Sequence, residues 1–119
     1  MAGSGPVRVA AVGLGRWAHV LADAYTRSDK VDLVACFTRS EAKRRAFAEK
    51  YGCDPESRLE DLLARDDVEG IVVTVPNDQH AAVIEQAAAA GKHVFVEKPI
   101  AIDLGDARRI DAATRDAGV

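Results

Sequence analysis

Apolar residues along this chain follow two alternating rhythms. Short runs at Val7–Val12, Val31–Phe37, Gly70–Val75 and His93–Val96 are dense in valine and other apolar residues, while the longer stretches between them space their apolar positions three or four apart. Near-continuous short runs suit strands covered on both faces, and the period between them suits amphipathic helices. The alternation therefore predicts an α/β domain with parallel strands joined by crossover helices.

The first helix is expected to open at Gly15 or Arg16, because Trp17, Val20, Leu21 and Ala24 stand at i, i+3, i+4 and i+7. That stripe is expected to face the sheet. A second helix follows Ser40, runs through Ala46 and Phe47 and stops at Gly52. Ser57-Arg-Leu-Glu60 has the form of a capping box ahead of a short helix over Leu59 to Arg65, whereas Cys53 to Arg58 offers no convincing third strand. Asn77 or Asp78 is placed to cap a helix carrying Ala81, Ile84 and Ala88 on one side and stopping at Gly91. The last helix begins after Asp103, with Leu104, Ala107, Ile110, Ala113 and Ala117 along one side and Gly118 at its end.

At 119 residues and 48% hydrophobic content, the chain is sized for one domain with a moderate core. Its formal charge of -3 leaves no broad basic footprint, which argues against nucleic acid or an anionic membrane as the main partner. Cys36 and Cys53 form neither a disulfide framework nor a metal-ligand spacing, so reduced thiols in a cytoplasmic protein without a metal site are expected. Residues 1–6, MAGSGP, read as a flexible N-terminus without the apolar core of a signal peptide, and no run approaches membrane-spanning length.

The candidate chemistry begins where the first strand meets the first helix. Val9-Ala-Ala-Val-Gly-Leu-Gly-Arg-Trp-Ala18 places Gly13, Gly15 and a small third residue, Ala18, at the spacing of a dinucleotide fingerprint, and the next strand ends about 20 residues further on. Gly13 would permit the tight turn, Gly15 would let the backbone approach a pyrophosphate, and Ala18 would keep the helix close to the sheet. The unpaired amides and positive end of that helix would then hold the anion. Alternatively, the glycines make only a strand-to-helix turn; the surrounding pattern favours the phosphate site. Trp17 is expected to pack rather than to stack on a ligand.

The second strand ends in Cys36-Phe-Thr-Arg-Ser40, with Thr38 where an Asp or Glu would bind the 2'-hydroxyl of an adenosine ribose. A carboxylate ~4 Å from a 2'-phosphate would oppose each unit of its charge by about 4 kcal/mol at an effective dielectric of ~20. No such carboxylate is present. Arg39 offers a forked donor, Thr38 and Ser40 offer hydroxyls, and Lys43 and Arg44 stand one turn on, so the stretch suits NADP better than NAD. Arg45 reads as part of a solvated face.

A third element, Val94-Phe-Val-Glu-Lys-Pro99, puts Lys98 at the carboxyl end of a strand, where open α/β sheets bind ligands. With Val73-Thr-Val-Pro-Asn77, His80 and Ala-Gly-Lys-His93, this chain resembles the N-terminal domain of the Gfo/Idh/MocA oxidoreductases from about Val7 onward. The resemblance implies a doubly wound parallel-sheet Rossmann domain over residues 7–119, incomplete at its C-terminal edge strand. It implies hydride transfer between a nicotinamide cofactor and a sugar, cyclitol or related alcohol or carbonyl.

The same resemblance puts Gly13, Leu14, Gly15, Arg16 and Trp17 along the dinucleotide and Thr38, Arg39 and Ser40 at its adenosine end. Thr74, Val75, Pro76, Asn77 and His80 would approach the nicotinamide half, followed by Glu97 and Lys98. Lys98 corresponds to the family's substrate-side lysine, whose ammonium can stabilise a developing alkoxide. Asn77 and His80 have competing structural readings, as an N-cap and as a first-turn side chain. A cis bond at Pro99 is left open by sequence.

The family's second domain and its Asp-x-x-x-His pair are not found here, and Val119 reads as the first residue of a further strand. The expectation is a cofactor-binding fragment without turnover of its own, since one wall of a cleft cannot hold a substrate in reacting geometry. The competing reading is a non-catalytic module that holds a dinucleotide or self-associates, with His93–Val96 as an exposed sheet edge.

Overall fold

The structure is a computed structural model and describes residues 5–119; the first four residues of the N-terminus expected to be flexible lie outside that range. Five strands, β1 (Val7–Val12), β2 (Val31–Phe37), β3 (Asp54–Pro55), β4 (Gly70–Val73) and β5 (His93–Val96), form one parallel sheet in the order β3-β2-β1-β4-β5. The chain builds outward from β1 to β2 and β3, then crosses back to β4 and β5. Right-handed crossovers consequently put the first two helices on one face and the later ones on the other. The helices are α1 (Arg16–Tyr25), α2 (Glu41–Tyr51), α3 (Leu59–Leu63), α4 (His80–Ala89) and α5 (Leu104–Ala117).

Alternation along β1 divides the core. Ala11 packs with Ala18 and Ala22 of α1 and Phe47 and Ala48 of α2, while Ala10 and Val12 pack with Leu62 and Leu63 of α3 and Val83 and Ala87 of α4. A bulge breaks the β1–β2 register: Val9 faces Leu33 but Ala10 faces Ala35, so Val34 is the extra residue. After it, Cys36 points into the α1–α2 side and Phe37 toward the α3–α4 side.

Several local expectations are corrected. The apolar stripe of α1 does not face the sheet: Trp17 and Val20 are 48% and 43% exposed, and Ala18 and Ala22 make the buried contact. Two alanines win that face because Ala11 and Leu33 leave room for a close helix, whereas the larger side chains fit only on the outside. In α5 only Ile110 is buried, against Ala81 and Ile84, and Leu104 is exposed.

The run expected to be strand through Val75 leaves the sheet after Val73. A third strand exists after all, two residues long, with Asp54 and Pro55 paired to Ala35 and Cys36. Arg65 fastens that edge through ion pairs to Asp54, Glu56 and Asp67. Its local sequence carries no strand signal because those contacts, and not propensity, hold it.

The Ser57–Glu60 capping box is not formed. Arg58 is the N-cap of α3 without a side-chain bond, and Glu60 pairs with Arg58 instead. Asn77 and Asp78 lie in a 3-10 turn, Asn77–Gln79, and α4 begins after it with no side-chain cap. By contrast Ser40 and Asp103 cap α2 and α5, accepting bonds from the amides of Lys43 and Asp106.

Candidate functional site

The carboxyl ends of β1, β2 and β4 open into a cleft of about 600 Å³. Its floor is the turn after β1. Gly13 adopts φ +89, and a Cβ placed there would lie 2.8 Å from the Val75 amide nitrogen, so only glycine fits between the strands. The Gly13 amide donates to the Phe37 carbonyl at 2.9 Å, and Thr74 Oγ1 donates to the Gly13 carbonyl at 2.9 Å. The turn is thereby tied to both neighbouring strands.

Gly15 differs: its φ is -80 and nothing lies within 4 Å of a Cβ built on it. Its lack of a side chain serves the space in front of it. As the N-cap of α1 it supplies no side-chain bond to the first-turn amides, and that turn contains no acidic residue. These donors and the helix dipole face the cleft end without a counter-charge of their own.

One cleft wall carries Thr38, Arg39 and Lys43, and the opposite wall Thr74, Val75 and Pro76, with Gly13, Leu14 and Gly15 between them. Arg39 and Lys43 are exposed and make no ion pair among the described residues. Besides the strand ends Val12 and Phe37, sequence reasoning missed Leu59 and Glu60 from α3, and Gln79, Val83 and Gln86 from α4 and the turn before it. They come from elements whose place over the cleft depends on the β3-to-β4 and β4-to-β5 crossovers. No local motif marks them.

The remaining expected residues are placed apart from the cleft lining. Ser40 turns its hydroxyl back to cap α2. The Arg44 guanidinium, expected to add to the field, instead donates to the carbonyl oxygens of Thr38 at 2.8 Å and Arg39 at 3.5 Å. Trp17 does not pack in the core; its indole Nε1 donates to the Glu97 carboxylate. That bond, then the Lys98 amide at 3.0 Å, holds the Glu97 carboxyl below the usual carboxylate range.

His80 is 1% exposed, with Nε2 3.1 Å from the Val75 carbonyl oxygen and Nδ1 3.2 Å from that of Ile100. It braces the end of β4 against the segment after β5. The Lys98–Pro99 peptide is cis, and Lys98 itself is exposed beside Glu97. Asn77 is exposed in the turn leading to α4.

A parallel sheet with strand order reversing at β1, a glycine turn there, and an uncapped helix beyond it define a Rossmann-type dinucleotide-binding domain. The description "Oxidoreductase family, NAD-binding Rossmann fold", that of the Gfo/Idh/MocA proteins, matches residues 7–119, and the chain belongs to this family. A Desulfitobacterium hafniense protein, described from its crystal structure as an NADPH-dependent oxidoreductase by assignment, superposes with a TM-score of 0.96. It is 55% identical, over 98% of this chain and 33% of that one. A 3-ketoreductase from Actinomadura kijaniata, crystallised with TDP-benzene and NADP, is 33% identical with a TM-score of 0.91, over 96% of this chain and 36% of its own. Inositol 2-dehydrogenase of Rhizobium meliloti is 37% identical over 82% of this chain and 29% of its length. This chain thus spans about a third of the length of such relatives.

Proposed function

We propose that residues 7–119 are the cofactor-binding domain of an oxidoreductase that moves a hydride between NADP and a sugar, cyclitol or related alcohol or carbonyl. The observation that carries the cofactor choice is the wall at the end of β2: Thr38, Arg39 and Lys43 line the cleft where a ribose-binding carboxylate would stand. Arg39 and Lys43 offset the charge of a 2'-phosphate, and Gly15 with the α1 amides receives the pyrophosphate. The NADP complex of the Actinomadura ketoreductase supports the same cofactor here. The sugar or cyclitol class rests on the similar dTDP-3,4-didehydro-2,6-dideoxy-alpha-D-glucose 3-reductase of Actinomadura kijaniata and on inositol 2-dehydrogenase.

The cofactor supplies or accepts the hydride. Lys98, held at the exit of β5 beside Glu97, orients the reacting oxygen and stabilises negative charge on it. Thr74, Val75, Pro76 and Asn77 border the nicotinamide half. One wall of a cleft does not by itself hold a sugar in reacting geometry, so residues 7–119 taken alone bind dinucleotide without turnover. Free Cys36 and Cys53 suit a reducing cytoplasm, and no helix among the described residues is long and apolar enough to cross a membrane.

Calorimetric titration with NADPH and NADH at matched salt tests the cofactor assignment. Tighter binding of NADPH is expected; equal affinity, or a preference for NADH, overturns it.

Self-association of this chain is the second reading, favoured by one region. Ala11, Val72 and Phe95 form a row across β1, β4 and β5, yet Phe95 is 62% exposed and β5 pairs only with β4. A second copy joining at this edge would cover it. Sedimentation that stays monomeric at high concentration, or is unchanged by Phe95→Lys, rejects that reading.

A further inference from the structure

We infer that Arg44 is a positioning residue for cofactor selectivity, acting from behind the cleft wall through the backbone of Thr38 and Arg39. This deepens the NADP assignment and rests on it.

Four observations converge. Arg44 is partly buried, whereas Arg39, Lys43 and Arg45 around it are exposed. It is absent from the cleft lining, although Thr38, Arg39 and Lys43 are all there. Its guanidinium donates to the Thr38 carbonyl at 2.8 Å and reaches the Arg39 carbonyl at 3.5 Å. Finally, it makes no salt bridge among the described residues, while the adjacent Arg45 pairs with Glu41.

A cation in the first turn of a helix opposes the macrodipole, so helix stability does not account for Arg44. The Thr38–Arg39 segment has left the β2 ladder and precedes the first residue of α2, so strand pairing does not hold these two carbonyls. Both carbonyls are reached by one guanidinium nitrogen, Nη1, which the rigid planar group keeps directed at them and an ammonium on a flexible stem holds less well. With the main chain held from behind, the Thr38 hydroxyl and Arg39 side chain start from a restricted set of directions toward the cleft. Less ordering is then needed when a 2'-phosphate arrives. NADH has no group at this place and gains little from that order.

The test is calorimetric titration of NADPH and NADH into the wild-type chain and into Arg44→Met, Arg44→Lys, Arg39→Ala and the Arg39→Ala/Arg44→Met double variant. Arg44→Met keeps the packed stem and removes the donors; it should lower the NADPH-over-NADH affinity ratio about tenfold, the scale of one charge-assisted hydrogen bond. Arg44→Lys should restore part of that ratio. Because Arg44 acts through the Thr38–Arg39 segment, the loss caused by Arg44→Met should be smaller on the Arg39→Ala background than on wild type.

An unchanged ratio in Arg44→Met overturns the inference, as does an equal loss of both affinities, which would mark a purely structural arginine. Additive losses in the double variant overturn it as well. A wild-type chain without NADPH preference removes the cofactor assignment itself, and this inference with it. Should Arg44→Met fail to fold, the Arg44→Lys ratio decides: a value equal to wild type contradicts the paired-carbonyl grip, and a reduced value with NADH affinity retained supports it.

Discussion

Trp17 in the first turn of α1 donates its indole hydrogen to the carboxylate of Glu97, 80 residues later in the chain. The phosphate turn and the Glu-Lys-Pro exit of β5 are joined by this one contact. Trp17 is also the single tryptophan, so its emission reports the contact directly. The Glu97 carboxyl is depressed in the folded chain by the Trp17 bond and the Lys98 amide. A depressed carboxyl keeps its contribution above the ordinary value of 4.5 and loses it as pH falls through the lower folded value. Tryptophan emission should therefore hold steady through the ordinary carboxylate range and step at lower pH, centred on the depressed value. In Glu97→Gln the acid step should be missing; a step that persists would reject the contact.

Gly13 and Gly15 should fail in different ways when replaced. Gly13→Ala puts a methyl against the backbone of Thr74 and Val75 at positive φ, and should cost about 2 kcal/mol or more of stability. Gly15→Ala meets nothing and needs no unusual backbone, so denaturant midpoints should stay within about 0.5 kcal/mol of wild type. Its NADPH affinity should fall, because the methyl projects where the pyrophosphate approaches. Chemical denaturation paired with calorimetry separates the two effects.

His80 is braced between two carbonyls in the core, and its removal should be felt in folding. His80→Ala leaves a cavity between the Val75 and Ile100 carbonyls and removes a buried N–H donor, for an expected loss of about 3 kcal/mol in urea unfolding. A variant as stable as wild type would show that the ring carries no structural load.

The two thiols should differ in reactivity. Cys36 is fully buried, and the neighbouring Cys53 thiol, together with burial, pushes its thiol up, while the same neighbour brings Cys53 down. Iodoacetamide under native conditions should label Cys53 first and Cys36 only after unfolding. Mass spectrometry of the peptides gives the order, and native labelling of Cys36 ahead of Cys53 would contradict it.

Repeating apolar runs and glycine stops were enough to read the strands at Val7–Val12, Val31–Phe37 and His93–Val96, the ends of α2 and α5, and the glycine turn between β1 and α1. These features are local: a run of β-branched residues, a left-handed glycine or a capping hydroxyl acts within a few residues of itself. The same locality made Gly13, Gly15, Thr38 and Arg39 legible as candidate residues, and the structure brings them into the lining of one cleft. What each helix turns inward was decided elsewhere. The α1 stripe looked like a core face, but close approach of Ala18 and Ala22 to the sheet left Trp17 and Val20 outside.

The sequence by itself determined the alternating fold, the glycine turn and the carboxylate-free end of β2, because those depend on residue type and short spacing. Only the tertiary structure decided that Arg44 grips the cleft wall from behind, that His80 is a brace, and that Leu59, Gln79 and Gln86 complete the cleft. Arg44 reaches back only five and six residues, through a turn whose path residue type does not set, while the His80–Ile100 contact and the cleft lining join groups that meet through the packing of separate elements. A contact made at that range leaves no period or motif in the chain.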